Sequence, residues 1–508
     1  MVLIKIVCHF FKANLFACRR KILDTELILQ SIISIKGNIM LKVPFQSVIK
    51  TLVFSSTLLA LSSSAATLTE SETKQLTQLK NTALQSNLSY QVLESLTTEV
   101  GHRLMGSEGD RKAVIWAQAK MNALGFDKVW TEEVTGTFWQ RGEAQAKIIS
   151  PYPHKVVAIA LGGSIATSEE GLIGDVAHFE TLADLIAAPD NSLDGKIAFV
   201  SYQMEEHIDG NGYGPAVGTR VGGAVVAAKK GASALIMRSV GTDNNRIAHT
   251  GIMRYEAGVK KIPAAALSNP DADLLVNQLK RNKPVSFYLK LTSHTDAKIT
   301  AVSANVIGEI TGSEFPDEIV SIGAHLDSWD VGTGALDDGM GVAMMLASAH
   351  HIAQLPIRPK RTIRVILFAA EEVGLLGAKK YMEVHEKNMD NHIIGAEWDF
   401  GVGQIYKMTS GVGKESLTAI NDLAKHLAPL GVELSNDNNA QAQSDMSVMS
   451  AAGMPSMNFA PDGTKYFDYH HTENDTLDKV NPEDLKQATA VYTLFAYFSA
   501  QSGINFRK

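Results

Sequence analysis

The sequence predicts an α/β fold: a mostly parallel central sheet flanked by helices, carrying an inserted β-rich domain. From Val302 onward, the apolar runs EIVSIGAHLD, TIRVILFAAEE, IIGAEWDFG and MPSMNFAP alternate with helix-like stretches. Runs with no polar alternation suit central strands covered on both faces. Histidines and acids stand at the carboxyl ends of those runs, where open α/β sheets form their binding crevice. Between residues 164 and 295 the texture changes. Short strand-like segments (KIAFVSY, ASALIMRS, IPAAALS, VSFYLKL) are separated by Gly-, Asp- and Asn-rich turns, with one helix-like stretch, GGAVVAAKKGA. At 508 residues the chain exceeds one ordinary core. The expected divisions are a leader over 1–66, the first part of the main domain over 67–163, the insert over 164–295 and the rest of the main domain over 296–508.

In chain order, Lys42 and Lys50 precede the apolar run Thr51 to Leu61, and Ser62-Ser63-Ser64-Ala65-Ala66 follows. Positive charge, a short apolar stretch and a small-residue site describe an export signal cleaved near Ala66. The run is too short to span a bilayer, so no stable membrane anchor is expected after cleavage, and the mature chain is expected to be periplasmic or secreted. A start at Met40 would give a conventional leader. Both cysteines, Cys8 and Cys18, fall in this segment, so a metal site in the mature chain must use His and carboxylates. The first 66 residues hold eight Lys/Arg and two Asp/Glu; removing that +6 from the net −7 leaves −13. An acidic chain with no basic run is not expected to bind nucleic acid.

Residues 67–100 are polar with helical periodicity, and GHRLMGSEGDRKAVIWAQAKMNALGF reads as a Gly-punctuated loop feeding a helix. KVWTEEV and QAKIIS alternate like strands. After the insert, GVAMMLASAHHIAQL reads as a helix that stops before Pro356. No phosphate-binding GxxxxGK[ST] and no Gly-x-Ser-x-Gly is present.

Five metal-type ligands follow one another in this framework: His325, Asp337, Glu372, Asp399 and His471, with Glu371 beside the third. Two His, two Asp and one Glu suffice for two ions sharing one carboxylate, the composition of a two-metal hydrolytic centre. Each motif alone has an ordinary reading. His325-x-Asp327 can be a surface turn; as a metal motif it would let Asp327 orient the ring. Asp337-Asp338 can cap a helix; here Asp337 is expected to bridge and Asp338 to cap or turn. Consecutive acids at the end of a buried strand are costly unless paired or metal-bound, and their side chains point apart. Glu372 is therefore expected on a metal and Glu371 as general base. Asp399 can be a turn residue. Of His470 and His471, the second is taken as the ligand, with Asp475 steadying its loop. His350, His351, His385 and His392 are read as packing residues, and Ser444-Asp445 as shaping the pocket.

Together, GHRLMGS, FWQRGE, GAHLDSWDVGTGALDDGMG, RPKRTIRVILFAAEEVGLLGA and YHHTENDT resemble the dizinc exopeptidase family of secreted aminopeptidases and glutamate carboxypeptidases, nearer to its carboxypeptidases. The resemblance runs from about Leu68 to the C-terminus. It implies a zinc exopeptidase fold with the insert as a protease-associated domain. It also implies two zinc ions per chain, one on His325 and Asp399, the other on Glu372 and His471, with Asp337 bridging and Glu371 as catalytic acid/base. The substrate implied is a short peptide cut by carboxypeptidase or dipeptidase action, with aminopeptidase action as the alternative; self-association into a homodimer is left open. Where some family aminopeptidases carry Tyr before the last His, this chain has His470. Tyr466 and Tyr469 are the sequence's candidates to stabilise an oxyanion.

Overall fold

The computed structural model describes residues 67–508, a single compact unit. The export signal, both cysteines and the alternative start at Met40 lie outside the described residues. A capped helix, α1 (Glu70–Gln85), opens the unit; Thr69 and Glu72 form a reciprocal capping box. After the GHRLMGS loop, α2 (Glu108–Ala123) starts at Ser107, whose hydroxyl accepts the Asp110 amide. The long strand β1 (Lys128–Gln140) follows.

Eight strands then form a second sheet: β2 (Ala144–Ser150), β3 (His154–Val156), β4 (Ala158–Ala160), β5 (Leu172–Phe179), β6 (Ile197–Val200), β7 (Ala234–Arg238), β8 (Ala264–Leu267) and β9 (Ser286–Leu291). Their order is β3-β2-β9-β5-β6-β7-β8-β4. Three of these strands precede residue 164, so the sheet begins upstream of the change in composition that marks it in the sequence. It has its own apolar cluster, centred on Ile197, Phe199, Ile236, Phe287 and Leu289. The helix-like stretch within it is α3 (Tyr213–Lys229).

The chain returns to the first sheet through β10 (His294–Ile310), then β11 (Phe315–His325), helix α4 (Met340–Ala353), β12 (Arg361–Phe368), helix α5 (Leu376–His385), β13 (His392–Glu397), β14 (Ile405–Gly411), β15 (Glu433–Leu434), β16 (Ser456–Pro461) and helix α6 (Pro482–Gln501). The strand order is β1-β10-β12-β11-β13-β16-β14-β15. The expected mostly parallel sheet is corrected to a mixed one. β12, β11, β13 and β16 run parallel to one another, as do β14 and β15, while β1 with β10, β10 with β12, and β14 with β16 pair antiparallel. Antiparallel neighbours need no crossover helix, so apolarity along a strand does not disclose its direction. Every residue of β12 and β13 is buried. Buried α4 and α6 pack on each other and on this sheet. Among the described residues, no helix is long and apolar enough to cross a membrane.

Candidate metal centre

The parallel strands deliver the predicted residues to one place. His325 is the last residue of β11; Glu371 and Glu372 follow β12, Asp399 follows β13 and His471 lies in a loop beyond β16. The two glutamates sit three and four residues past the strand rather than ending it, which frees their side chains from the pleat. Asp337 lies just before α4 in non-helical backbone.

Asp337 organises the cluster. Its Oδ1 is 3.1 Å from His325 Nε2, which is also 3.1 Å from Asp399 Oδ1. Its Oδ2 is 3.2 Å from His471 Nε2, which is 3.1 Å from Glu372 Oε2. One carboxylate thus turns an oxygen to each of two His–carboxylate pairs. Each position has one imidazole nitrogen, one carboxylate oxygen and one oxygen of the shared Asp337. Three protein ligands with an open fourth place is the pattern of catalytic metal sites.

Both imidazoles present their Nε2 lone pair inward. His325 Nδ1 is 3.0 Å from the Asp327 carbonyl, and His471 Nδ1 is 3.3 Å from the Thr250 carbonyl. A carbonyl only accepts, so a proton on Nδ1 satisfies each of these contacts and leaves Nε2 free to ligate. Arg220 Nη1, which can only donate, also lies 3.2 Å from His471 Nδ1 and competes with the Thr250 carbonyl for that nitrogen. Although Asp337 Oδ2 is near His471, no N–H is aimed at it, and it and Glu372 Oε1 are buried without a partner. Buried carboxylate oxygens facing lone pairs are stable only with cations between them.

The protonation balance is split: burial lowers His325, but Asp399, Asp327 and Asp337 around it raise it well above the usual imidazole range. Burial raises Asp337, but the imidazoles of His325 and His471 set against its two oxygens hold it well below the usual carboxylate range. Burial lowers His471 despite Asp337. We take Asp337 as ionised and His471 as neutral, the forms a metal needs. Burial, then the charges of Asp337, Asp327 and Asp399, push Glu372 well above the usual range. So many acids in one buried cluster call for positive charge.

Glu371 turns the other way from Glu372. Ser444 donates a 2.7 Å hydrogen bond to its Oε1. Burial first, then the charges of Asp399 and Glu372, push Glu371 up to about 8. The Glu371 and Glu372 amides donate to the Asp327 carboxylate at 2.9 and 3.3 Å. Asp327 thus orients His325 through its backbone and the glutamate pair through its side chain. Ala370, Ser444 and His471 hold positive φ of 58°, 35° and 61°. Such backbone costs about 1–3 kcal/mol each in non-glycine residues and gathers at functional sites.

Two further residues fall in the cluster. Asp338 shares ligand-forming distances with His325 and Asp399, and His470 with Asp337 and His471. Asp338 accepts the His325 and Gly341 amides at 3.2 and 3.0 Å, the cap expected of it. His470 stacks on His471 with ring centroids 3.5 Å apart, but its Nε2 is 3.7 Å from Asp337 and its buried Nδ1 has no partner. His471, braced by a carbonyl, is the better ligand.

Residues 305–496 match the family model described as Peptidase family M28. Carboxypeptidase Q of Xenopus laevis is 34% identical over 416 residues, covering 82% of this chain and 86% of that protein. The chain belongs to peptidase family M28. The M28 chain is a metallopeptidase, and its fold agrees with solved relatives. The crystal structure of a Peptidase M28 precursor from Shewanella amazonensis SB2B superposes with a TM-score of 0.84 at 51% identity, covering 86% of this chain and 98% of that one. A zinc aminopeptidase from Bacillus subtilis gives 0.58 at 22% identity, over 82% and 95%, a likeness of fold.

The M28 pocket around the cluster has a volume of about 520 Å³. The second sheet's part of the chain supplies Tyr213, Arg220, Ile252 and Arg254 to its lining, residues that sequence reading did not single out. No local motif marks them: Arg220 meets His471 across 251 positions. Tyr466 lines the pocket and Tyr469 does not. Asp475 accepts the Leu336 amide at 2.6 Å, beside Asp337, while its carbonyl accepts the Thr333 amide, so it steadies the bridging loop. His385 and His392 lie outside the centre, on Glu132 and Tyr381.

Proposed function

We propose that this M28 enzyme is an exported dizinc exopeptidase hydrolysing short peptides, of the carboxypeptidase or dipeptidase type. The observation that carries the reading is Asp337, with one oxygen toward His325 and Asp399 and the other toward His471 and Glu372. Imidazole and carboxylate donors, three to a position, suit zinc, the metal named for the Bacillus subtilis relative. Zinc held there would polarise the scissile carbonyl and lower the pKa of water. The likeness to carboxypeptidase Q supports the carboxypeptidase or dipeptidase type. The second sheet is read as the protease-associated insert.

Glu371 takes the proton of the attacking water. Its raised affinity for a proton suits a base that must later give that proton up, and cations nearby oppose the rise. The water oxygen joins the carbonyl carbon, the C–N bond breaks, and Glu371 passes its proton to the leaving amine nitrogen. Ser444 fixes the orientation of Glu371 through Oε1. Tyr213 is the side chain we assign to the oxyanion. Arg220 Nη2 donates to its hydroxyl oxygen at 2.5 Å, so the phenol's own proton must go elsewhere. It has no acceptor among the described residues, and the pocket is the space the ring borders. A hydroxyl polarised by a guanidinium is a strong donor to developing negative charge.

The test uses protein from Thr67 onward with zinc restored, given free, N-blocked and C-amidated dipeptides. Chelator-sensitive cleavage that needs a free carboxylate and tolerates a blocked amine is the carboxypeptidase outcome; a need for both ends is the dipeptidase one. The reverse pattern means aminopeptidase action, the activity of the Bacillus subtilis fold relative. No chelator-sensitive cleavage of any peptide sinks the reading.

A further inference from the structure

A second cavity of about 540 Å³ adjoins the metal pocket, and Ile252 and Arg254 line both. Phe138 and Trp139 of β1, Tyr255, Trp329 and Leu376 give it an aromatic and apolar wall, and Lys261, Asp296 and three threonines also line it. The wall residues converge from the first sheet, the second sheet's segment, the loop after β11 and the start of α5. Arg254 stands at the junction with an exposed side chain. Its guanidinium lies beside Gly374, where an added Cβ would collide with Nη2, so it borders the loop that carries Glu371 and Glu372. The other arginines nearby are engaged: Arg141 pairs with Asp330 and Arg220 with Tyr213. Arg254 makes no side-chain hydrogen bond or ion pair among the described residues. A free guanidinium between a metal centre and the aromatic wall of this cavity matches a ligand with a carboxylate next to an apolar group.

Resting on the reading above, we propose that the second cavity is the subsite for the residue released from the substrate's C-terminus. It takes an apolar or aromatic side chain, and Arg254 binds that residue's free carboxylate. With the scissile carbonyl at the metal centre, the next Cα falls at the junction. Its carboxylate meets Arg254 as a planar, two-point partner, and its side chain continues between Phe138, Trp139 and Trp329. A C-terminal amide offers no charge to Arg254, and glycine leaves the cavity unfilled.

The test compares Ala-Phe, Ala-Gly and Ala-Phe-amide on the zinc-restored enzyme and its Arg254→Gln variant, a change at an exposed position. The wild type is expected to prefer Ala-Phe to both others in kcat/KM. Arg254→Gln is expected to lower kcat/KM for Ala-Phe by about 10- to 100-fold, mainly through KM, and to leave Ala-Phe-amide unchanged. Calorimetry with L-phenylalanine and its amide reads the subsite without turnover; only the free acid should bind, and only to the wild type. Equal loss on acid and amide, equal rates for Ala-Phe and Ala-Gly, or no binding of L-phenylalanine by the wild type overturns the proposal. If no peptide is cleaved but L-phenylalanine binds through Arg254, the functional reading fails while the subsite stands.

Discussion

Asp337 shows how much one side chain decides. Its two oxygens face different histidines, so the same acid stands between the two proposed metal positions. Glu371 and Glu372 are neighbours in sequence with opposite tasks, one held by Ser444 and the other against His471. Replacing Glu371 by Gln removes the proposed base but none of the five proposed ligands. The variant should keep its metal, measured by elemental analysis, while kcat falls by about 10³-fold. Wild-type turnover would refute the role. Tyr213→Phe should lower kcat by about 100-fold with KM little changed; a pure KM effect would make Tyr213 a binding residue instead.

At the scale of elements, four parallel strands set the centre and loops complete it. The loop from β11 to α4 has to hold His325 and Asp337 in register, and Arg103 of the GHRLMGS stretch performs this. Fully buried, it donates to the carbonyls of Leu326, Thr333 and Gly334 at 2.5, 2.8 and 2.9 Å. Gly334 permits the approach; its φ is 61° and a Cβ there would collide with Arg103 and Ser328. Lysine keeps the charge but not the planar fork. Arg103→Lys should therefore cost about 2–3 kcal/mol, read by urea denaturation, and weaken metal retention. An unchanged midpoint would mean that the loop is held by Asp475 alone.

At the scale of the molecule, the second sheet completes the pocket as well as occupying sequence. It sends Tyr213, Arg220, Ile252 and Arg254 to the lining, and the Thr250 carbonyl to His471. The whole also buries more acids than bases around one cavity: burial and like charges raise Asp338, Glu372, Glu397 and Asp445 well above the usual range. Cations binding only the folded state relieve that repulsion. At one hundred times its Kd a single ion adds about 2.7 kcal/mol, so zinc should raise the thermal midpoint by several degrees and a chelator should reverse it. A midpoint indifferent to both would count against a metal centre.

His325, Glu371, Glu372 and Asp399 stand out in the sequence because each follows an apolar run, Asp337 because it precedes a helix and His471 by its motif YHHTENDT, and the sheet brings such strand ends together. The same runs could not show that β1, β10 and β14 pair antiparallel, since burial on both faces looks alike in either direction. What the sequence by itself determined is the α/β architecture and the set of groups proposed to bind metal, because both are written in local residue types and periodicity. Only the tertiary structure decided which oxygen of Asp337 meets which histidine, that Arg103 clamps the bridging loop, and that Tyr213, Arg220 and Arg254 reach the pocket. Those facts depend on contacts between distant parts of the chain, whose partners no local pattern encodes.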